Sequence, residues 1–381
     1  MWYLSIVILL SLLSLAEYFK RNCVTGTFTT MWFVLWMMVI FRYGQGTDYY
    51  AYYLQYEYID SEGVFWINAL GHGEIGWYIL MLLGKRTGMS FYVFLGVISS
   101  VMMLSLLRAI KKYSSYKIIS LLLLYPTFYL TYCYSAIRQG LVLCLFLGGG
   151  IDLLLRKKYF YYYLFVLLLA FFHTSAVVLL AVPTLINWRR QKMRVFLGVV
   201  LIIPLVAYWR QSFILSAVES YRQVEVSVLA IIVRIIMFVI MRKLYLMSKK
   251  GSQDSMGQMV DLTYHIYEIG FIIFLSLSWM STLSQRLTMP LKSVEILLIP
   301  SLLYYNSNTI KSILSREKLQ IVTVSFLLCV AIVNVEYVKN IYSYINQGNY
   351  RSFVTPLNYP YCSVFNQQEI YTYITNFDEE F

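Results

Sequence analysis

Residues 159–188 read YFYYYLFVLLLAFFHTSAVVLLAVPTLINW, an apolar and aromatic run interrupted near its middle by His173-Thr174-Ser175. Cations close it at both ends, with Arg156-Lys157-Lys158 before it and Arg189, Arg190, Lys192 and Arg194 after it. One continuous helix over this run would be about 45 Å long at ~1.5 Å per residue, against a hydrocarbon core of about 30 Å. Basic clusters mark the cytoplasmic ends of spans. Cations at both ends therefore predict a hairpin of two short crossings that turns at His173-Thr174-Ser175 on the outer face. A single steeply tilted helix is the competing arrangement.

The texture of this run recurs along the whole chain. Of its 381 residues 59% are hydrophobic and 13% charged, and the mean hydropathy is +0.63. A soluble domain carries about a quarter charged residues. The expectation is an all-α polytopic membrane protein with about 12 transmembrane helices. A barrel would alternate polar and apolar residues, and these runs do not. The formal net charge of +12 sits in short clusters between apolar runs, as in cytoplasmic loops, which argues against nucleic acid as a partner. Cys23, Cys133, Cys144, Cys329 and Cys362 show no ligand spacing, and the chain has 3 His, so neither a metal nor another cofactor is expected.

Met1 to Phe19 is followed, not preceded, by Lys20 and Arg21. This predicts an uncleaved first helix with its N-terminus outside. Thr27 to Phe41 returns to the outer face and delivers Arg42 there. The expected organisation is a multi-helix membrane domain over residues 1–338, with an outer loop at 42–89 and a cytoplasmic linker at 251–261, followed by an outer-face tail at 339–381. Within the outer loop Glu74 to Leu83 is too short to cross, at roughly 15 Å, and is read as lying in the interface. Val195 to Trp209 is one of the later crossings. No P-loop, G-x-S-x-G or H-E-x-x-H is present, which disfavours an ATP-driven pump or a soluble-type hydrolase. The glycines at 148–150 read as close helix packing.

This topology brings Arg42, Asp48, Glu74, Arg138, Gln139, His173 and Arg286 to the outer face. Phe41-Arg42-Tyr43-Gly44-Gln45-Gly46-Thr47-Asp48-Tyr49-Tyr50 is the densest polar stretch among them. Each residue alone reads as an interfacial anchor or helix cap, whereas three Arg, one His and two carboxylates from distant segments read as a site. Arg offers a permanent, forked charge for phosphate, and Arg138 stands at a helix start, where free N–H groups also favour an anion. Gly44 and Gly46 would let backbone N–H groups approach such a ligand. Asp48 and Glu74 would orient sugar hydroxyls, pair with an Arg or act as general base, and His173 would take a proton or cap its turn. Arg234, inside a crossing helix, should face the interior and pair with a carboxylate such as Glu219 or Glu225, or with a ligand phosphate. His72 and His265 read as structural. Tyr49–Tyr58, Tyr125–Tyr134 and Tyr337–Tyr361 are rich in tyrosine on the same face, either as interfacial belt or as a stacking surface for a glycan.

Phe41 to Tyr49 resembles the R-x-G-x-G-T-D-Y signature of the EpsG family of polysaccharide polymerases, related to the Wzy-type O-antigen polymerases. Glu74-Ile75-Gly76-Trp77-Tyr78 resembles its E-P-G-[YF] element, with Ile75 in place of Pro. Ser135 to Gly140 and Ala170 to Ala176 resemble its I-R-Q and A-x-x-x-H-x-S-A block. Arg286 stands where the family has a late Arg, followed here by Leu287-Thr288-Met289-Pro290 and not by Tyr-Phe.

The resemblance implies a fold like the C-type glycosyltransferases and O-antigen ligases. It implies an inverting, metal-independent transfer of a growing glycan from undecaprenyl diphosphate to a new lipid-linked unit at the outer face of the bacterial inner membrane. Arg42, Gly44, Gly46, Tyr49, Arg138, Gln139 and Arg286 would hold the diphosphate-sugar, and Asp48, Glu74 or His173 would supply the base. The undecaprenyl-diphosphate-linked oligosaccharide and membrane lipids are the implied partners, with a chain-length regulator and a flippase beside them. The alternatives are a ligase using the same donor, and a lipid-linked oligosaccharide flippase or other transporter. A transporter should carry ionisable residues through the membrane depth and an internal repeat.

Overall fold

The computed structural model describes residues 2–20, 25–59, 74–189, 228–248, 255–278, 281–313, 316–347, 355, 357 and 359–366. These form helices and loops with no strand among them. In order they are α1 (Trp2–Lys20), α2 (Thr25–Ile40), α3 (Tyr49–Glu57), α4 (Ile75–Arg86), α5 (Phe91–Tyr113), α6 (Lys117–Leu124), α7 (Ile137–Leu145), α8 (Ile151–Leu155), α9 (Tyr159–Phe172), α10 (Val182–Arg189), α11 (Val228–Ser248), α12 (Ser255–Ser276), α13 (Ser281–Lys292), α14 (Glu295–Ile313) and α15 (Arg316–Gln347). A π-helical turn, Tyr125–Cys133, extends α6, and a second one, Phe146–Gly150, joins α7 to α8. Among the described residues five helices suit a membrane span by length and composition, or six if the bent pair Leu283–Lys292 and Glu295–Ser307 counts as one. Shorter apolar helices cover Gly26–Ile40, Lys117–Cys133, Tyr159–Phe172 and Thr174–Ile186. The expected crossing at Val195–Trp209 lies outside the described residues, so the count of about twelve stays an expectation.

The chain divides into two compact units. The first comprises Met1–Gly148, Phe171–Thr174 and Phe326–Phe381. In it α1 packs on α6, and α5 lies against both α2 and α7. Glu17, 5% exposed near the end of α1, accepts the N–H groups of Ile118 and Ile119, each at 2.9 Å. A carboxylate thereby satisfies two of the bare donors at the start of α6, where the helix dipole favours negative charge. Glu17→Ala should cost about 1.5–3 kcal/mol and Glu17→Gln less, because the amide oxygen still accepts. Thermal unfolding of the purified protein in detergent checks this, and equal midpoints for both variants and wild type would refute it.

The π turn carries Pro126, which has no N–H to donate. Two carbonyls of the turn accept from α15: Asn340 donates to Pro126 O at 2.7 Å, and Tyr344 donates to Leu130 O. Thr127 adds a hydrogen bond to Glu336 at 2.9 Å. The last helix thus continues past Val338 to Gln347, and residues 359–366 of the expected tail are docked on the first unit. Several members of the tyrosine clusters are buried inside it, whereas Tyr58 (63%) and Tyr342 (57%) are exposed. Tyr49, Tyr52, Tyr56, Tyr125, Tyr129, Tyr134 and Tyr337 are each no more than 3% exposed, so they are packing residues and not an open face for glycan. Tyrosine suits this role because its ring is apolar while its hydroxyl reaches a backbone carbonyl, as Tyr129 does at Leu35 O (2.6 Å).

The second unit comprises Gly149–Ala170 and Ser175–Ser325. Within it Tyr162 donates to Leu179 O at 2.9 Å, and the Tyr163 and Thr184 hydroxyls lie 3.5 Å apart. Residues that would be roughly 25–30 Å apart on one straight helix touch, so the chain reverses at His173 and the single tilted helix is ruled out. Gly251 to Asp261, expected as a linker, is helical from Ser255 onward, with Asp261 accepting from Tyr245. Arg234 is half-buried and donates to Thr288 Oγ1 at 3.0 Å, its guanidinium 3.9 Å above the Phe274 ring. Its expected carboxylate partners Glu219 and Glu225 lie outside the described residues.

Candidate functional site

The site is built in the first unit, where α2 ends. Arg42 follows the last turn of α2 and donates Nη1 to Val39 O at 2.7 Å and to Ser99 Oγ on α5 at 3.0 Å. A cation there complements the negative end of the α2 dipole. Arg42 is 2% exposed, lies against the Tyr134 ring at 5.3 Å, and its Nε and Nη2 have no hydrogen-bond partner among the described residues. It forms no ion pair with Asp48.

Past Arg42 the chain turns through Gly44 (φ 61°) and Gly46 (φ 107°), both in the left-handed region. Gly46 has a second reason to be glycine. A Cβ there would fall 2.5 Å from the Tyr134 carbonyl oxygen, so the close approach it permits is to the protein's own backbone. Next to it Thr47 Oγ1 meets Ser135 Oγ, and the Asp48 N–H donates to the same hydroxyl at 3.3 Å. The Asp48 carboxylate is half-buried and accepts from Thr47 Oγ1 at 3.0 Å. Thr47 and Asp48 are thereby fixed on Ser135, just before the helix that carries Arg138.

Arg138, in the first turn of α7, donates Nη1 to Glu74 Oε2 at 2.5 Å and Nε to the Tyr52 hydroxyl at 3.3 Å. Glu74 stands immediately before α4, with its side chain 7% exposed against 21% for Arg138. Its other oxygen, Oε1, accepts the Thr174 N–H at 3.4 Å and lies 3.6 Å from His173 Nε2. One carboxylate therefore bridges Arg138 and His173, which are supplied by two distant segments. Gly76 makes this approach feasible, since a Cβ there would come within 2.9 Å of Phe171. Burial pushes the Tyr52 hydroxyl up to about 12 although Arg138 opposes it, so Tyr52 remains a neutral partner for the guanidinium. Burial raises Tyr49 and Tyr134 in the same direction.

Of the residues anticipated from sequence, Glu74, Arg138 and His173 are brought into contact, and Asp48 is joined to them through Ser135. Tyr49 is buried against the rings of Tyr43 and Phe91, and Gln139 is buried on α7. Arg286 is an exposed residue of α13, in the second unit. Sequence reasoning missed Ser99, Tyr52, Ser135 and the pairing of Gln45. Ser135 and Gln45 were inside the quoted stretches, but nothing local distinguishes a serine or glutamine that docks another segment from one that faces solvent. Among the described residues no group of three or more His, Cys, Asp or Glu could hold a metal ion, and Cys133, Cys144, Cys329 and Cys362 are buried.

In comparisons with known proteins, the family model described as EpsG family matches residues 25–346. No curated protein and no solved structure matches the chain.

Proposed function

Because the chain belongs to the EpsG family, we propose that it is a polysaccharide polymerase of the membrane, a glycosyltransferase that lengthens a glycan carried on a polyprenyl diphosphate. The observation that carries this reading is the Glu74 carboxylate shared between Arg138 and His173. A permanent cation and a titratable ring are held by one buried acid, a combination suited to transfer from a diphosphate.

In the reaction the acceptor hydroxyl oxygen attacks the anomeric carbon, and the bond from that carbon to the diphosphate oxygen breaks with the bonding pair leaving on the phosphate. Arg138 stabilises the negative charge that develops there, and its fork lets it keep Glu74 while donating to phosphate. The proton of the attacking hydroxyl passes to His173, whose ring Glu74 orients and whose charged form Glu74 stabilises. Glu74 is thus a positioning residue and not itself the base, since both its oxygens are engaged. Asp48 accepts hydrogen bonds from sugar hydroxyls, and Arg42 organises the α2 terminus beneath it. The donor is an undecaprenyl-diphosphate-linked glycan, the acceptor a new lipid-linked unit, and the site opens to the outer face of the inner membrane.

Purified protein incubated with lipid-linked repeat units, extracted from cells that lack it, should produce a ladder of lengthened glycans without any further acceptor. Product that forms only when lipid A core is added would replace the polymerase with a ligase. Passage of the units across a vesicle membrane with no new bond would make the protein a transporter.

A further inference from the structure

Residues 359–366 lie along the Phe41–Gln45 stretch in a short antiparallel pairing. Tyr43 N–H donates to Cys362 O at 3.0 Å and Val364 N–H to Phe41 O at 2.9 Å, on either side of the pair Arg42 and Ser363. Tyr361 adds a hydrogen bond to Met38 O at 2.9 Å, and the Tyr359 ring rests 5.5 Å from that of Tyr3. The side chain that closes this arrangement is Gln45, 1% exposed. Its Nε2 donates to Pro360 O at 2.7 Å while its Oε1 accepts from the Tyr3 hydroxyl at 2.5 Å. An amide carries a donor and an acceptor on one planar group, and Gln45 uses both. Residues 355–366, TPLNYPYCSVFN, include no carboxylate, histidine, lysine or arginine, so the segment brings neither a phosphate-binding charge nor a base near neutral pH. Directly after Gln45, Gly46 presses on the Tyr134 carbonyl, and Thr47 and Asp48 dock on Ser135.

We infer that Gln45 is a positioning residue for the transfer reaction: it locks the segment Tyr359–Val364 onto the Phe41–Gln45 stretch, and so sets Gly46–Asp48 against Ser135 at the start of the Arg138 helix. This rests on the reading of Asp48 and Arg138 as substrate-binding groups. Gln45→Glu isolates the effect. The carboxylate still accepts from Tyr3 but faces the Pro360 carbonyl with no donor, which repels the segment.

Cys362, 4% exposed, reports release. Full-length protein in detergent is treated with N-ethylmaleimide, peptides are read by mass spectrometry, and elongation of extracted lipid-linked repeat units is measured in parallel. In wild type Cys362 should be as protected as Cys133 and Cys144. In Gln45→Glu its alkylation should speed up at least tenfold while Cys133 and Cys144 stay protected, and kcat/KM for elongation should fall at least tenfold. Release of Cys362 with elongation within twofold of wild type would overturn the inference, as would a Cys362 already reactive in wild type. Cys133 and Cys144 becoming reactive together with Cys362 would make Gln45 a folding residue and overturn it equally. Wild-type ladders from Arg138→Ala would instead sink the polymerase reading and leave the alkylation result standing.

Discussion

Arg138→Ala should stop chain growth, lowering elongation by about 10²–10³-fold, the scale on which one preorganised donor to developing charge acts. Lipid-linked single units should accumulate in cells carrying it. The substitution also exposes a second, separable effect. Glu74 is 5% exposed, and Arg138 is the cation at its Oε2. Removing one partner of a buried ion pair costs about 3–5 kcal/mol, because the remaining charge is left in a poor solvent. Arg138→Ala alone should therefore unfold at lower temperature. Adding Glu74→Gln should recover most of that stability, since a neutral amide needs no cation, but none of the activity. Measuring unfolding and elongation on both variants separates the two roles. If the double variant recovered polymer as well as stability, Arg138 would be a structural counter-ion and the leaving-group role would fall. Arg138→Lys should retain the pairing with Glu74 and lose much of the rate, because a point charge cannot donate to carboxylate and phosphate as a fork does.

Gly46→Ala is the second large effect, and it tests how tightly the first motif must sit on the central one. At φ 107° any side chain strains the backbone, by on the order of 1–3 kcal/mol. The added Cβ would also fall 2.5 Å from the Tyr134 carbonyl oxygen and 3.0 Å from Ser135 Cα, atoms of a backbone that cannot swing away. Overpacking of this kind adds about 1–3 kcal/mol. Relief is available only by lifting Gly46 off Tyr134, which carries Thr47 and Asp48 away from Ser135. Elongation should drop well over tenfold while the protein still inserts in membranes. Gly88→Ala is the control, because Gly88 also has a positive φ (76°) but has nothing within 4 Å of a Cβ. It should show strain in unfolding without loss of elongation. Equal losses of elongation in the two variants would mean that strain alone matters and that contact with Tyr134 does not.

Much of the site was legible because its members stand in short local patterns. The polar stretch after α2, the Glu before α4, the Arg at the start of α7 and the His within an apolar run each stand out from an apolar background. Their contacts did not. Asp48 is close in sequence to Arg42, which invites an ion pair, yet Arg42 turns its Nη1 to the end of its own helix and to Ser99, while Asp48 docks on Ser135. The tyrosine clusters looked like surface because tyrosine favours membrane interfaces, yet several of their rings are core, where a hydroxyl such as that of Tyr129 reaches a carbonyl inside. Residues 359–366 carry no pattern at all. They are held mainly through backbone groups, which every sequence possesses.

The amino-acid sequence by itself determined the helical class, the membrane habit and the family, because these depend on composition, on the spacing of cations and on motifs a few residues long. The reversal at His173 belongs with them, since a run bounded by cations at both ends and too long for one crossing has few alternatives. Only the tertiary structure decided which groups meet. Glu74 is 64 residues from Arg138 and 100 from Thr174, and Gln45 is 315 from Pro360. Contacts over such separations arise from how whole helices pack, a property to which every residue contributes and which no local stretch encodes.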